Sequence, residues 1–328
     1  MSLRSASFRA LTVTTLLAAL CAGPVLAQQK SAEKSVAVLA IVEHPALDAV
    51  RDGVREVLTE AGYTEGKNLR WQYQSAQGNV GTAAQIARKF IGDKPDVIVG
   101  IATPAAQAVA AATRNVPLVF SAVTDPVAAQ LVKTWDPSGT NVTGVSDELA
   151  LERQIELIKQ ILPNAKKVGM VYNPGEANSK VVVEQLKQLM PKHGLTLVEA
   201  AAPRTVDISS AASRLAGQVD VIYTSTDNNV ISAYEALVKV GNETNTPLIA
   251  ADTDSVKRGA VAALGLNYRD LGRQTGQIVV RILNGEAPGA IASQRSDKLD
   301  LFVNLKAAEQ QGVTVPEAVI SAAAEVIR

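Results

Sequence analysis

The stretch DVIVGIATPAAQAVAAAT, residues 96–113, joins the two patterns that define the fold. Residues 96–101 predict a strand, because a continuous apolar run rich in β-branched side chains is typical of a strand buried on both faces. Pro104 then opens an alanine-rich segment that predicts a helix to about residue 113, since proline is well tolerated in the first helical turn. A buried strand that leads directly into a helix predicts one βα unit of a parallel sheet.

The same βα unit recurs on both sides of this stretch. Further strands are predicted at residues 36–42, 69–73, 116–123, 167–172, 195–200, 220–224, 247–251 and 300–304, with amphipathic segments between most of them. The pattern restarts near residue 147, so the chain makes one open α/β unit and then a second. Repeated βα units require a mostly parallel sheet with helices on both faces. We therefore predict an α/β fold of two open, parallel-sheet, Rossmann-like lobes.

The N-terminus has the order of a secretory signal peptide. Arg4 and Arg9 precede an apolar run at residues 10–20, and small residues at Val25 and Ala27 mark a cleavage site after Ala27. A transmembrane anchor is disfavoured, because the apolar run is shorter than the ~20 residues that a spanning helix needs. Residues 1–27 are therefore predicted to be removed, and the mature protein is predicted to be periplasmic.

Cys21 is the only cysteine and raises the alternative of a lipoprotein. Leu20 occupies the position where a lipoprotein cleavage site has a small residue, so lipid attachment is disfavoured. With cleavage after Ala27, neither disulfide nor thiol chemistry is expected in the mature chain.

Composition excludes several classes of function. Removing Arg4 and Arg9 leaves 30 basic against 32 acidic residues (32 − 2 against 32), so the sequence gives no electrostatic reason to bind nucleic acid. The sequence contains no phosphate loop, dinucleotide fingerprint or Cys/His metal spacing, and we expect no cofactor. Its two histidines, His44 and His193, form no pattern with a nucleophile, so an enzyme is not expected.

Ligands of open parallel sheets bind beyond the carboxyl ends of the strands. Thr103 and the amides of Ala105 and Ala106 form a candidate anion site at a helix start; the alternative is a plain helix cap. Asp125 and Asp227 are candidates to neutralise a ligand ammonium, and for both the alternative is a turn-forming role. Tyr172 lies at a strand end and could supply aromatic surface.

Several motifs resemble one known family. They are HPALD at residues 44–48, GIATPAAQ at residues 100–107, AVTDP at residues 122–126, NVTGVSD at residues 141–147, Asn178-Ser179 and Asp227-Asn228. These motifs recur in order in the ABC transporter substrate-binding proteins that include tryptophan- and tyrosine-binding members. The segment from Tyr172 to Glu176 departs from that pattern.

The resemblance implies a type I periplasmic-binding fold whose chain crosses three times between the lobes. Lobe 1 would comprise residues 34–145 and 268–287, and lobe 2 residues 146–267 and 288–328. It also implies an amino-acid-like ligand, aromatic or hydrophobic, together with a permease and an ATPase as partners. We expect a monomer that closes around its ligand.

Candidate ligand contacts combine the motif positions with Tyr172. They are His44, Thr103, Ala105, Ala106, Thr124, Asp125, Ser146, Asp147, Tyr172, Asn178, Ser179, Asp227 and Asp252. Within this set we expect Thr103 and the two alanine amides to hold the ligand carboxylate. Asp227 would hold the ammonium, and His44 and Tyr172 would flank the side chain. Two alternatives stay open, a periplasmic sensor that presents its ligand to a membrane receptor and a secreted enzyme of the same architecture.

Overall fold

A computed structural model describes residues 33–296 and 298–328 of the chain. The predicted signal peptide and Cys21 lie outside the described residues. Within the described ranges, no helix combines the length and the apolar character needed to cross a membrane.

The first part of the chain forms the core of the first lobe. Its elements are β1 (Lys34–Ala40), α1 (Pro45–Glu60), β2 (Leu69–Ser75), α2 (Val80–Gly92), β3 (Val97–Ile101), α3 (Thr103–Ala112), β4 (Leu118–Ser121) and β5 (Val142–Ser146). The strand β3 and the helix α3 correspond to the βα unit predicted for residues 96–113.

The next part of the chain forms the second lobe. Its elements are α4 (Leu151–Ile161), β6 (Lys167–Tyr172), α5 (Ala177–Leu189), β7 (Thr196–Ala201), α6 (Ile208–Leu215), β8 (Val221–Thr224), α7 (Asn228–Ser232), α8 (Tyr234–Thr244), β9 (Leu248–Asp252), α9 (Thr253–Lys257) and β10 (Ala262–Leu266). Short 3-10 helices lie at Met190–His193 and Thr205–Asp207 in this part, and another lies at Pro288–Ala290, in the part of the chain described next.

The chain then returns to the first lobe before it ends in the second. Helix α10 (Tyr268–Leu283) and strand β11 (Gln294–Arg295) belong to the first lobe. Strand β12 (Leu299–Asn304), helices α11 (Leu305–Gln310) and α12 (Glu317–Ala322), and strand β13 (Glu325–Ile327) follow in the second lobe. The chain therefore crosses between the sheets after β5, after β10 and after β11.

The two sheets have the strand order of doubly wound α/β folds. The first sheet is entirely parallel, in the order β11-β5-β4-β3-β1-β2. The second has the order β13-β12-β10-β9-β8-β6-β7 and is parallel except for the pairing of β10 with β12. The predicted α/β class with two mostly parallel sheets is confirmed.

The C-terminal part differs from expectation in two details. Gln294 and Arg295 pair with Val145 and Ser146 of β5, so the third crossing follows Arg295 and lies later than the boundary expected at residues 287 and 288. The last predicted helix, at residues 317–327, ends at Ala322, and the remaining residues add β13 to the edge of the second sheet. An unpaired backbone edge beside β12 gives this segment the hydrogen bonds of a strand.

Both sheets are buried on their two faces. In the second lobe, Met170 and Tyr223 belong to one buried cluster, and their strand neighbours Val171 and Ile222 belong to another. Successive side chains of a strand point to opposite faces, so the two clusters are the two sides of one sheet. The continuous apolar strands of the sequence therefore reflect helices on both faces.

Helix α10 is held in the first lobe by close packing against α1. A methyl group added to Gly272 would lie 2.2 Å from the backbone oxygen of Val50, and one added to Gly53 would lie 2.4 Å from the backbone oxygen of Arg269. Only glycine allows two helix backbones to approach so closely. The packing fixes α10, whose first residue, Tyr268, lies directly after the second crossing.

We expect Gly272→Ala to lower the free energy of unfolding by about 1–3 kcal/mol, because the new methyl group would overlap backbone that cannot move aside cheaply. Gly92→Ala is the matched control. A methyl group at Gly92, the last residue of α2, meets nothing within 4 Å, so alanine should be neutral or stabilising by up to ~1 kcal/mol. Urea denaturation compares the two; equal stabilities would contradict this account of the packing.

Candidate functional site

The carboxyl ends of strands from both sheets surround one cavity, which we call the inner cavity. The space within it is about 340 Å³ when the part open to solvent is included. Its lining residues are His44, Ala46, Leu47, Ala102, Thr103, Ala122, Thr124, Asp147, Asn178, Thr226, Asn228, Ile231, Asp252 and Tyr268. Both lobes contribute to this lining, as expected for doubly wound sheets whose ligands bind where the strand order reverses.

The backbone is strained at two points of the inner cavity. Ala102 and Ala122 follow β3 and β4 and have φ angles of 72° and 53°, in the left-handed region that residues other than glycine rarely adopt. Such conformations cost about 1–3 kcal/mol each and occur preferentially at binding sites. Both residues line the cavity, so the strain marks the same location as the strand ends.

The N-terminus of α3 faces the inner cavity. Ala102, rather than Thr103, is the capping residue, and no side chain in the described ranges accepts a hydrogen bond from the first turn. The amide of Ala106 donates to the carbonyl of Ala102 at 3.1 Å. The hydroxyl of Thr103 is buried and has no hydrogen-bond partner among the described residues. The free hydroxyl and the positive end of the helix together suit an anion.

Two buried carboxylates also line the inner cavity. Asp147 accepts hydrogen bonds from the hydroxyls of Thr124 (3.1 Å) and Tyr268 (2.8 Å), one on each oxygen. Asp252 accepts from the amide and the hydroxyl of Ser255, at 2.8 and 2.6 Å. Burial raises the pKa of both carboxyls, although these hydrogen bonds oppose the effect. Each carboxylate offers about four lone pairs, so both can accept further donors.

His44 is a neutral member of the lining. Burial, assisted by the charge of Arg258, lowers the pKa of His44 to about 3. Its Nδ1 accepts the amide of Leu47 at 3.5 Å at the start of α1, so the neutral ring carries its proton on Nε2. In the described part of the chain, no lysine or arginine lines the inner cavity. The formal charge of its lining therefore comes from carboxylates.

Asn178 presents an oxygen from the second lobe. Its Nδ2 donates to the Oε2 of Glu176 at 3.0 Å and to the carbonyl of Thr226 at 3.3 Å. Its Oδ1 is buried without a partner among the described residues. Because buried polar atoms are normally paired, the free atoms of Thr103 and Asn178 leave hydrogen bonds that a ligand or water in the cavity can make.

Asp227 does not line the inner cavity, and its hydrogen bonds oppose the expected ammonium role. Its Oδ1 accepts from the amides of Asn229 and Val230, both at 3.0 Å, which makes Asp227 the N-cap of α7. Its Oδ2 accepts from the amide of Asn173 and the hydroxyl of Ser179, both at 2.6 Å. Four donors use the lone pairs of this carboxylate, so it is a structural group within the second lobe.

Several other expected contacts also lie outside the lining. Asp125 accepts from the amides of Val127 and Ala128 in an exposed turn. Tyr172 donates to Glu199 at 2.9 Å on the surface, and Ser146 donates to the carbonyl of Thr124. Ala105, Ala106 and Ser179 are buried but do not reach the cavity. Among the expected contacts, those that line the cavity are His44, Thr103, Thr124, Asp147, Asn178 and Asp252.

Tyr268 was the main omission from the sequence-based set. It begins α10 directly after the second crossing. Its hydroxyl donates to the carboxylate of Asp147, which lies at the first crossing. Its position after a strand and the capping residue Asn267 was a usable signal. Leu47 and Ile231 were also missed, because an apolar residue near the start of an amphipathic helix resembles any core residue.

A second, larger space adjoins the inner cavity, and we call it the outer cavity. With the part open to solvent included, it measures about 1560 Å³. Its lining includes Arg88 and Gln107 of the first lobe and Asn173, Glu176 and Pro203 of the second. Adjacent residues divide the two spaces: Thr103 lines the inner cavity and Pro104 the outer one. Neither space has a metal-binding cluster, since the described residues contain no group of three or more His, Cys, Asp or Glu side chains suited to a metal ion.

Comparison with known proteins agrees with this geometry. The sequence profile of a family described as ABC transporter substrate binding protein matches residues 35–327. A tyrosine-binding protein of Clostridioides difficile (strain R20291) is 38% identical over 282 residues, covering 85% of this chain and 82% of that protein.

Two solved structures are also similar to this chain. An ABC domain from Streptococcus pneumonia in complex with L-Trp is 34% identical, with a TM-score of 0.87 over 90% of this chain and 100% of the other. The ligand-free, open structure of a substrate binding protein with adhesive properties from Clostridium difficile is 40% identical, with a TM-score of 0.68 over 90% and 99%.

We expect Asp227→Ala to lower the free energy of unfolding by at least about 3 kcal/mol, because four donors lose one buried acceptor. Asp125→Ala is the matched control, since its two amide partners lie at an exposed turn where water can replace the carboxylate; its cost should be about 1 kcal/mol. Urea denaturation measures both. An Asp227→Ala protein of wild-type stability that no longer binds ligand would instead support the ammonium role.

Proposed function

Because the chain belongs to the ABC transporter substrate binding protein family, we propose that it is the periplasmic solute-binding component of an ABC importer. Members of this family bind substrates and do not convert them, so the chain is a binding protein and not an enzyme. Its ligand is an amino acid, with aromatic and hydrophobic amino acids favoured. The observation that carries this proposal is the pair of free, buried polar atoms, one from each lobe, in a cavity that also contains two carboxylates.

The carboxylate of the ligand binds at the start of α3. The Thr103 hydroxyl has no other partner among the described residues, and the first turn of this helix has no side-chain cap. The helix dipole favours negative charge at this end. No basic side chain of the described residues lines the cavity, so the helix terminus is the group there that best suits an anion.

The ammonium of the ligand binds among Asp147, Asp252 and the free oxygen of Asn178. A buried carboxylate without a cation is costly, and an ammonium removes that cost. The two acids lie beyond β5 and at the end of β9, so they belong to different segments of the chain. Asp147 and Asp252 thus replace Asp227 in the role that the sequence suggested for it.

The side chain of the ligand meets apolar surface. Leu47 of α1, Ile231 of α7 and the ring of Tyr268 line the same cavity, and His44 adds a neutral ring. This surface suits an aromatic or hydrophobic amino acid. The relatives that bind tyrosine or were crystallised with L-Trp support that class.

Capture proceeds by closure of the lobes. The TM-score is higher with the L-Trp complex than with the open, ligand-free structure, although the open protein is closer in sequence. The hydroxyls of Thr124 and Thr226, on opposite lobes, are 3.4 Å apart. This closed arrangement encloses the carboxylates, so a ligand that supplies a cation and contacts both lobes shifts the population towards it.

The N-terminus and the family support the proposed location and partners. The predicted signal peptide directs the chain to the periplasm, with cleavage after Ala27. There the monomeric, loaded protein presents both closed lobes to a membrane permease, and an ATPase on the other side of the membrane drives import.

We expect the mature protein to bind one or a few of the twenty amino acids in a calorimetric screen, with tyrosine, tryptophan or a hydrophobic amino acid tightest. Binding should raise the thermal midpoint according to RT ln(1 + [L]/Kd). Sugars, nucleosides and organic acids without an amine serve as controls. Binding of one of these controls in place of every amino acid would refute the ligand class.

We expect Thr103→Val to weaken binding of that amino acid by about 10–100-fold, the value of one hydrogen bond to a charged group. The stability of the ligand-free protein should not fall, because the Thr103 hydroxyl has no partner to lose among the residues that the structure describes.

Thr143→Val is the matched control for this change. Thr143 is buried in β5 and donates to the carbonyl of Ile291 at 2.9 Å, away from the cavity lining. This variant should lose stability and keep its affinity. Equal affinities of the two variants, measured by calorimetry, would remove Thr103 from the ligand site.

A further inference from the structure

Glu176 is a buried carboxylate that the proposed contacts do not use. It is the residue before α5 and 5% exposed, and its side chain gives no cap to that helix. It lines the outer cavity, whereas Asn178 and Asn228 line the inner one. Glu176 therefore lies behind the wall of the ligand site, in the segment that departs from the family pattern.

One oxygen of Glu176 binds both asparagines of that wall. Its Oε2 accepts from the Nδ2 of Asn178 at 3.0 Å, from the Nδ2 of Asn228 at 2.6 Å and from the amide of Asn228 at 3.3 Å. A carboxylate can only accept hydrogen bonds, so each asparagine must turn its NH₂ group towards Glu176.

This contact decides which end of the Asn178 amide meets the ligand. The NH₂ group also lies near two further acceptors, the Thr226 carbonyl at 3.3 Å and the Ser179 hydroxyl at 3.5 Å. The opposite atom, Oδ1, is left buried and without a partner among the described residues. Asn178 thus offers an acceptor to the inner cavity and no donor.

We propose that Glu176 is a positioning residue for ligand recognition, which fixes Asn178 as a hydrogen-bond acceptor for the ammonium of the ligand. The inference rests on the proposed function, since it requires a ligand with an ammonium group. Glu176 itself does not touch the ligand and acts through the orientation of the amide.

The charges around Glu176 make this arrangement dependent on pH. Burial and the nearby carboxylate of Asp227 raise the pKa of Glu176 to about 7. Arg88 of the first lobe lines the same outer cavity, and Asp147, Asp252 and neutral His44 line the inner one. Above this pKa the anion holds both NH₂ groups. Below it, the protonated carboxyl can donate, and the Asn178 amide is free to turn its NH₂ group to the ligand.

The test is calorimetry with L-tyrosine and L-tryptophan on wild type, Glu176→Gln and the double variant Glu176→Gln/Asn178→Asp. Glutamine has the shape of glutamate but can donate to Oδ1 of Asn178 and reverse the amide. We expect Glu176→Gln to weaken binding at least about tenfold at a pH of about 8, as for the loss of one charge-assisted hydrogen bond. The double variant should restore binding, because a carboxylate at position 178 presents an oxygen to the cavity whichever way it is held.

Repeating the titrations between a pH of about 6 and about 8 adds a second readout, since this range brackets the pKa of Glu176. Wild-type affinity should fall as pH falls through about 7, and Glu176→Gln should lack this part of the pH dependence. Any contribution from Asp147 and Asp252, whose pKa values are also raised, is common to both proteins. A further variant, Asn178→Ala, keeps Glu176 and its contacts with Asn228. We expect it to lose affinity as Glu176→Gln does, and it replaces Glu176→Gln in the test if that variant does not fold.

The outcomes separate the two proposals. Wild-type protein that binds no amino acid refutes the proposed function, and this inference with it. Wild-type binding together with full affinity of Glu176→Gln refutes the inference alone. Weak binding by Glu176→Gln that the double variant does not restore also refutes it, because a general structural role would not be rescued by a second substitution in the cavity.

Discussion

The carboxylates of Asp147 and Asp252 lie in the inner cavity with at most 2% of either residue exposed. No basic side chain in the described ranges lines that cavity, and His44 is held neutral by its own burial. Enclosed carboxylates are stable only with good hydrogen bonds, a bound proton or a cation. The hydroxyls of Thr124, Tyr268 and Ser255 supply some of these hydrogen bonds. The raised pKa values of the two carboxyls reflect the second means, a bound proton. In the proposed function an ammonium supplies the third, so closure of the lobes and selection of the ligand would depend on the same electrostatic cost.

The scaffold places these acids through its crossings. Asp147 follows β5 at the first crossing, and Tyr268 begins α10 at the second. The hydrogen bond between them joins the two crossings at the cavity. Helix α10 can hold Tyr268 there because its glycines let it pack directly on α1. A contact between two helices of the first lobe therefore determines a side chain position at the boundary between the lobes.

In the proposed function, the groups that bind the ligand are divided between the lobes. The first lobe offers the start of α3 with the Thr103 hydroxyl, and the second offers Asn178, whose NH₂ group donates to Glu176. Neither set alone satisfies both ends of an amino acid. A ligand that bridges them gains contacts only when the lobes close, which is the differential affinity that a population shift requires. Two buried acids behind the cavity wall hold other groups of the second lobe in place. Glu176 accepts hydrogen bonds from asparagines, and Asp227 caps the N-terminus of α7.

The local sequence determined the α/β class, because apolar strands and amphipathic helices alternate and each has its own hydrophobic period. Strand ends, together with the family motifs, predicted six residues that line the inner cavity: His44, Thr103, Thr124, Asp147, Asn178 and Asp252. The sequence could not distinguish Asp227 from Asp252. Both are buried acids at the start of a short helix, but one accepts four hydrogen bonds and the other two. Glu176 was likewise out of reach, because its partner Asn228 lies 52 residues away in the chain. Tyr268 had a local signal in the strand end and in Asn267, but the sequence had none for its contact with Asp147, 121 residues away. Periodicity is a property of neighbouring residues and is written in the sequence, whereas the number of partners around a buried group is decided only when distant segments pack together.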